Sequence, residues 1–150
     1  MPLHFTIRDL LWLTLTLTMS TVGSGFGPGA LDFNYALTGG YRLYRNSSHQ
    51  IMIAPKGGWT ADTPIVRPKV VEVAWDDRFI LAKRQVLKFR DEFSGDKYEL
   101  PDPGKFDYWI LDTNDPKLFG PLDGPSFVAK RKELNVSPDL VLKDVYNFAP

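Results

Sequence analysis

The chain has 150 residues, 43% of them hydrophobic and 24% charged, with 18 basic against 18 acidic side chains. That is the composition of one folded domain with a real core, and it excludes a disordered chain. The zero net charge lacks the basic excess that phosphate contacts require, which argues against a nucleic-acid binder. The lack of cysteine excludes disulfides, thiolate nucleophiles, iron–sulfur clusters and cysteine-ligated zinc.

The opening "MPLHFTIRDLLWLTLTLTMSTVGSGFGPG" changes character twice. A short lead carries Arg8 and Asp9, an uncharged run follows from Leu10 to Val22, and small residues then take over from Gly23 to Gly29. This is the three-part order of a secretory signal, with Val22 and Ser24 at the positions a signal peptidase reads. The 13 residues from Leu10 to Val22 would span about 20 Å as a helix, short of a hydrocarbon core of about 30 Å. Residues 1–30 therefore read as a signal peptide or short N-terminal membrane anchor plus a glycine-rich joint. The competing reading is an internal strand, since "LWLTLTLT" alternates with a period of two. No cysteine is present to carry an N-terminal lipid.

Residues 31–150 read as a single domain of short strands broken by turns. "GGYRLYRN" (Gly39 to Asn46) and "HQIMIAP" (His49 to Pro55) alternate as strands. Between the second of these and the next strand lies a loop with Gly57, Gly58, Trp59 and Pro64. "KVVEVAW" turns through Asp76-Asp77-Arg78 into "FILAKRQVLKF". Val71, Val73 and Trp75 are expected on one face. Phe79 and Leu81 alternate with Ile80 and Ala82, so this part of the sheet is expected to be covered on both sides.

Phe93 to Phe106 reads as a polar loop with two prolines. "YWILDT" is the next strand, with Tyr108, Ile110 and Asp112 on one face and Trp109, Leu111 and Thr113 on the other. Asn114-Asp115-Pro116-Lys117 makes the turn back. The period then changes over Asp123 to Asn135, which predicts a helix: Asp123 or Gly124 caps it, Pro125 fits the first turn and Asn135 suits the left-handed exit. Phe127, Arg131 and Leu134 share one stripe, with Val128 beside it. The tail from Ser137 reads as extended. The expected fold is α+β, an antiparallel β-meander with one packed C-terminal helix.

The phrases "GGYRLYRNSSHQIMI", "KVVEVAWDDRFILAKRQ", "YWILDTNDPKLFGPL" and "FVAKRKELNV" together resemble a family of small bacterial proteins of unknown function, many of which look like exported lipoproteins. The resemblance spans Tyr35 to Tyr146 and implies an envelope location, but it supplies no activity and no site residues. The N-terminal "FTIRDLLWLTL" also resembles envelope-targeting segments. The missing lipid-bearing cysteine is a departure from the lipoprotein pattern.

Catalytic templates fit poorly. Histidine occurs only at His4 and His49, too few for an ordinary zinc site, and no metal or cofactor is expected. Ser47 and His49 share one face of an extended chain and are the only nucleophile–base candidates; a third, orienting acid is not named by the sequence. The same residues also read as a polar turn. Asp112, Asn114 and Asp115 begin like a calcium loop, but Pro116 occupies the fifth position and no glycine follows. Asp76 and Asp77 with that acidic group form a candidate acid–base set or two solvated hairpin tips. Ser126 and Lys130 are one residue too far apart for an acyl-transfer motif.

Aromatic residues are 13% of the chain. Trp75, Trp109, Phe79 and Tyr108 suit a sheet core, whereas Trp59, in a glycine-rich loop, is the candidate binding residue. The expected function is that of a non-catalytic envelope module contacting a protein or cell-wall component, with membrane contact only through residues 10–22. The alternatives are a small hydrolase using Ser47 and His49, and an intracellular structural protein whose first strand is "LWLTLTLT".

Overall fold

The computed structural model describes residues 32–149 apart from 92, 94 and 96. The N-terminal address segment and the competing strand reading of "LWLTLTLT" lie outside the described residues. The architecture is α+β. β1 (Phe33–Ala36), β2 (Tyr41–Arg45) and β3 (Ile51–Pro55) form a three-stranded antiparallel sheet in that order. β4 (Val70–Trp75), β5 (Phe79–Phe89), β6 (Glu99–Asp112) and β7 (Lys117–Leu122) form the meander of a five-stranded sheet, and β8 (Lys143–Asp144) returns to the outer edge of β4. One helix, α1 (Gly124–Glu133), and a 3-10 turn (Val145–Phe148) complete the described elements.

The alternation in β4 to β6 sets a layered packing. Val73, Ile80, Ala82 and Leu111 join Leu43, Ile51 and Ile53 of the smaller sheet in one buried cluster. Ala74, Phe79, Leu81 and Ile110 point the other way, where Phe127 of α1 and Val136 cover them. The central strands are thus apolar on both faces, as strands buried on both sides must be. Fully burying one such aliphatic side chain contributes about 1.5–3 kcal/mol.

Three expectations need correction. Val70 is buried, whereas Val71 is only half-buried, because the β4–β5 register shifts between Val70 and Glu72. The bulge inserts one residue, so Val70 and Val73 both reach the inter-sheet core. The supposed loop before Phe106 is largely strand, since β6 starts at Glu99 and pairs Leu87 with Pro101. Its prolines fit because the β5–β6 register breaks between Gln85 and Leu87, and among the described residues β7 pairs with β6 only from Tyr108 onward, so this stretch is an irregular edge. Val128, placed beside the Phe127–Leu134 stripe of α1, is 52% exposed.

The helix ends follow their capping residues. Asp123 Oδ1 accepts from the Ser126 N–H at 2.8 Å, and Pro125 occupies the first turn. Asn135 exits with φ 55°, and the Val136 N–H closes on the Arg131 carbonyl at 2.9 Å. Arg131 Nη2 then donates to the Ser137 and Leu140 carbonyls at 2.8 and 2.9 Å, holding the tail against the helix. The tail forms strand only at Lys143–Asp144 before the 3-10 turn. Among the described residues, no helix is long and apolar enough to cross a membrane.

Candidate functional site

The residues singled out for chemistry are held in turns. Ser47 Oγ accepts from the Gln50 N–H at 3.1 Å, as a serine does in a polar turn. His49 is half-buried, and its Nδ1 is buried without a hydrogen-bond partner. No hydrogen bond joins Ser47 to His49 among the described residues.

The acidic turns are likewise occupied. Asp76 Oδ1 accepts from the Arg78 and Phe79 N–H groups at 2.8 and 2.7 Å, which shapes the β4–β5 turn. Asp112 takes a bidentate grip from Arg78, with Nη2 at 2.6 Å, and also accepts from the Asn114 N–H at 3.1 Å. Its carboxyl is held below the ordinary carboxylate range, first by the Arg78 hydrogen bond, against the upward push of its own burial. A carboxylate so stabilised in its charged form is poorly suited to donate a proton at neutral pH. Among the described residues, no group of three His, Asp or Glu side chains is placed to hold a metal ion.

Trp59 lies in a different setting. Its loop leaves β3 at Pro55 and is pinned at both ends. The Lys56 N–H donates to the Gly40 carbonyl at 2.9 Å, and Ile53 and Val66 exchange backbone hydrogen bonds of 3.0 Å. Val66 is buried in the inter-sheet core, which anchors the return. Between these points, Thr60 and Thr63 close a small turn: the Thr60 N–H donates to Thr63 Oγ1 at 3.0 Å, and the two hydroxyls lie 3.3 Å apart. Trp59 is 48% exposed and rests against Tyr44, with ring centroids 6.5 Å apart.

Trp59, Thr60, Thr63, Pro64, Arg67 and, across from the loop, Leu118 of β7 line a concavity of about 490 Å³. The site therefore presents an indole edge and face, two hydroxyls and a guanidinium around an open space. Arg67 is exposed and forms no ion pair with any described residue. Sequence reasoning singled out Trp59 through its glycine-rich loop but missed Arg67 and Leu118. A lone arginine between Val66 and Pro68 has no local signature; only the Ile53–Val66 bridge brings it beside Trp59.

The other aromatic candidates are packed. Trp75 meets Tyr35 and Phe148 at centroid distances of 5.6 and 5.1 Å, beside a smaller concavity of about 310 Å³. Tyr108 stacks on Phe127 at 4.8 Å. The Trp109 Nε1–H donates to Asp107 at 2.7 Å, and Phe79 is buried in the helix-side core.

Residues 38–146 match a protein family described as a protein of unknown function (DUF3997). No curated protein and no solved structure matches the chain.

Proposed function

The chain belongs to that family of unknown function, DUF3997, and from this premise we propose that it is an exported or membrane-tethered domain of the bacterial envelope that works by binding. The observation that carries the reading is the exposed Trp59 on a loop anchored at both ends, lining a concavity of about 490 Å³. A large aromatic side chain left half in water on a fixed loop is spent surface for the fold, yet it is the kind of anchor that recognition sites use. The leader-like order of residues 1–30 supports the envelope location. The partner in this reading is an envelope protein or a cell-wall component.

Two measurements on the full chain, produced in a bacterial host, test this. The first is N-terminal sequencing of the mature protein after fractionation. A new N-terminus near residue 25, or an intact chain in the membrane fraction, is expected; a soluble cytosolic chain that keeps Met1 contradicts the location. The second is co-sedimentation with purified cell-wall sacculi and with membrane fractions, for the wild type and Trp59→Ala. Loss of sedimentation in the variant is expected, and equal behaviour of the two proteins removes Trp59 as the contact.

A further inference from the structure

We infer that the Trp59 concavity takes an acidic saccharide, a sugar ring bearing a carboxylate; this rests on the reading of that concavity as a binding site. Arg67 lines the concavity, is exposed, and has no carboxylate partner among the described residues. Its neighbour in the adjacent smaller concavity, Arg84, differs, being locked onto Asp107 through Nε and Nη2 at 2.9 and 2.5 Å. Among the described residues no acidic side chain lines the Trp59 concavity, and Glu99 lines the smaller one, to which Arg67 also contributes, without forming an ion pair with it. The space therefore offers one guanidinium outside any ion pair, whose fork matches a carboxylate with two parallel hydrogen bonds.

The remaining lining selects the carrier of that carboxylate. A sugar ring has an apolar C–H face and a rim of hydroxyls. Trp59 supplies a broad apolar surface for the face. Thr60 and Thr63 also line the space; their hydroxyls lie 3.3 Å apart and Thr63 Oγ1 accepts from the Thr60 N–H, which leaves each hydroxyl further hydrogen-bonding capacity. An acidic peptide would satisfy Arg67 equally, and Leu118 lies on β7, the outermost strand of its sheet; the indole face with two hydroxyls beside it is what favours the sugar. Binding of a peptide in preference to a sugar is therefore an outcome that counts against the inference.

The test is isothermal titration of the full chain with trigalacturonic acid and with its methyl ester, which keeps the rings and removes the charge. Inorganic phosphate and a glutamate-rich peptide serve as separate arms. Saturable binding of the acid, at least about tenfold tighter than the ester, is expected from a charge-assisted bidentate contact. Arg67→Gln should bring the acid down to the affinity of the ester, and Trp59→Ala should weaken both. Equal affinity for acid and ester, an unchanged Arg67→Gln, or binding of phosphate or the peptide with no response to the sugar would overturn the inference. These failures remain separable from failure of the broader reading: Trp59-dependent sedimentation with sacculi or membranes without an acidic-sugar preference leaves an envelope-binding domain with a different ligand. Circular dichroism of each variant verifies that the fold is intact.

Discussion

The Asp107 carboxylate lies flat against the Arg84 guanidinium, with one oxygen 2.9 Å from Nε and the other 2.5 Å from Nη2. The same carboxylate accepts from the Trp109 indole N–H at 2.7 Å, and the Arg84 head also lies 5.2 Å from the centre of that ring. The pair joins β5 to β6 at the register position where Arg84 faces Asp107, and both side chains are largely buried. Removing one partner leaves the other charge desolvated and unpaired. Asp107→Ala should therefore cost about 2–4 kcal/mol in urea unfolding. A loss below about 0.5 kcal/mol would mean that water already compensates the guanidinium.

Asp112 gives the fold a dependence on pH. Its folded-state carboxyl titrates below the ordinary value near 4, mainly because of Arg78. A depressed carboxyl contributes stability above the unfolded-state value, and that contribution fades as pH falls through the folded-state value. Asp112→Asn should be less stable than the wild type at pH 6, and the gap should shrink as pH drops below about 4. Urea midpoints from pH 6 to pH 2 measure it. A gap that stays constant would place the effect in packing, not in charge.

Two glycines are fixed by close approach. Gly39 has φ 63°, and a side chain there would overlap Thr113, whose N–H and hydroxyl are both committed to the Arg78 carbonyl at 2.9 and 2.7 Å. Gly120 has φ 151°, and a Cβ there would lie 2.5 Å from the Trp109 ring. Neither neighbour is free to give way, since the indole is tied to Asp107. Gly39→Ala and Gly120→Ala should each lower stability by about 2 kcal/mol or more. Gly57→Ala, with open space around it, should change it by less than about 0.5 kcal/mol.

These positions show what the sequence makes legible. The β4–β5 hairpin and both ends of α1 were readable because alternation, Asx turns and capping residues act over a few neighbours. The two apolar faces of β5 and β6 were readable for the same reason. The division of the strands into two sheets was not, because alternation says which residues share a face but not which sheet lies opposite. β1 was missed because three of its four residues are exposed, so burial imposes no pattern on it. The strand from Glu99 was hidden by prolines that a strand tolerates at an edge or a bulge. At the site, Trp59 was legible from its glycine-rich loop, while Arg67 required the Ile53–Val66 bridge, a contact between residues 13 apart.

The helix is held to the sheet by Phe127, the single residue of α1 that is buried. Its ring stacks on Tyr108 with centroids 4.8 Å apart and planes tilted by 24°. Phe127→Ala should cost about 3–5 kcal/mol and expose the helix-side core to a hydrophobic dye. Val128→Ser, on the open side, should change stability by less than about 0.5 kcal/mol. If both variants behave alike, the helix does not dock through this stripe.

The last prediction separates binding from catalysis. Trp59 is half in water and touches one aromatic neighbour, so Trp59→Ala should cost less than about 1 kcal/mol of stability. The same variant should nevertheless lose most of its association with envelope material. Ser47→Ala and His49→Ala should leave that association unchanged, because Ser47 serves its own turn and neither residue lines the Trp59 concavity. Sedimentation of the three variants side by side reads the difference. An opposite result, with Trp59→Ala bound normally and His49→Ala not, would move the site to the turn before β3. There the buried, unpartnered Nδ1 of His49 would become the group to explain.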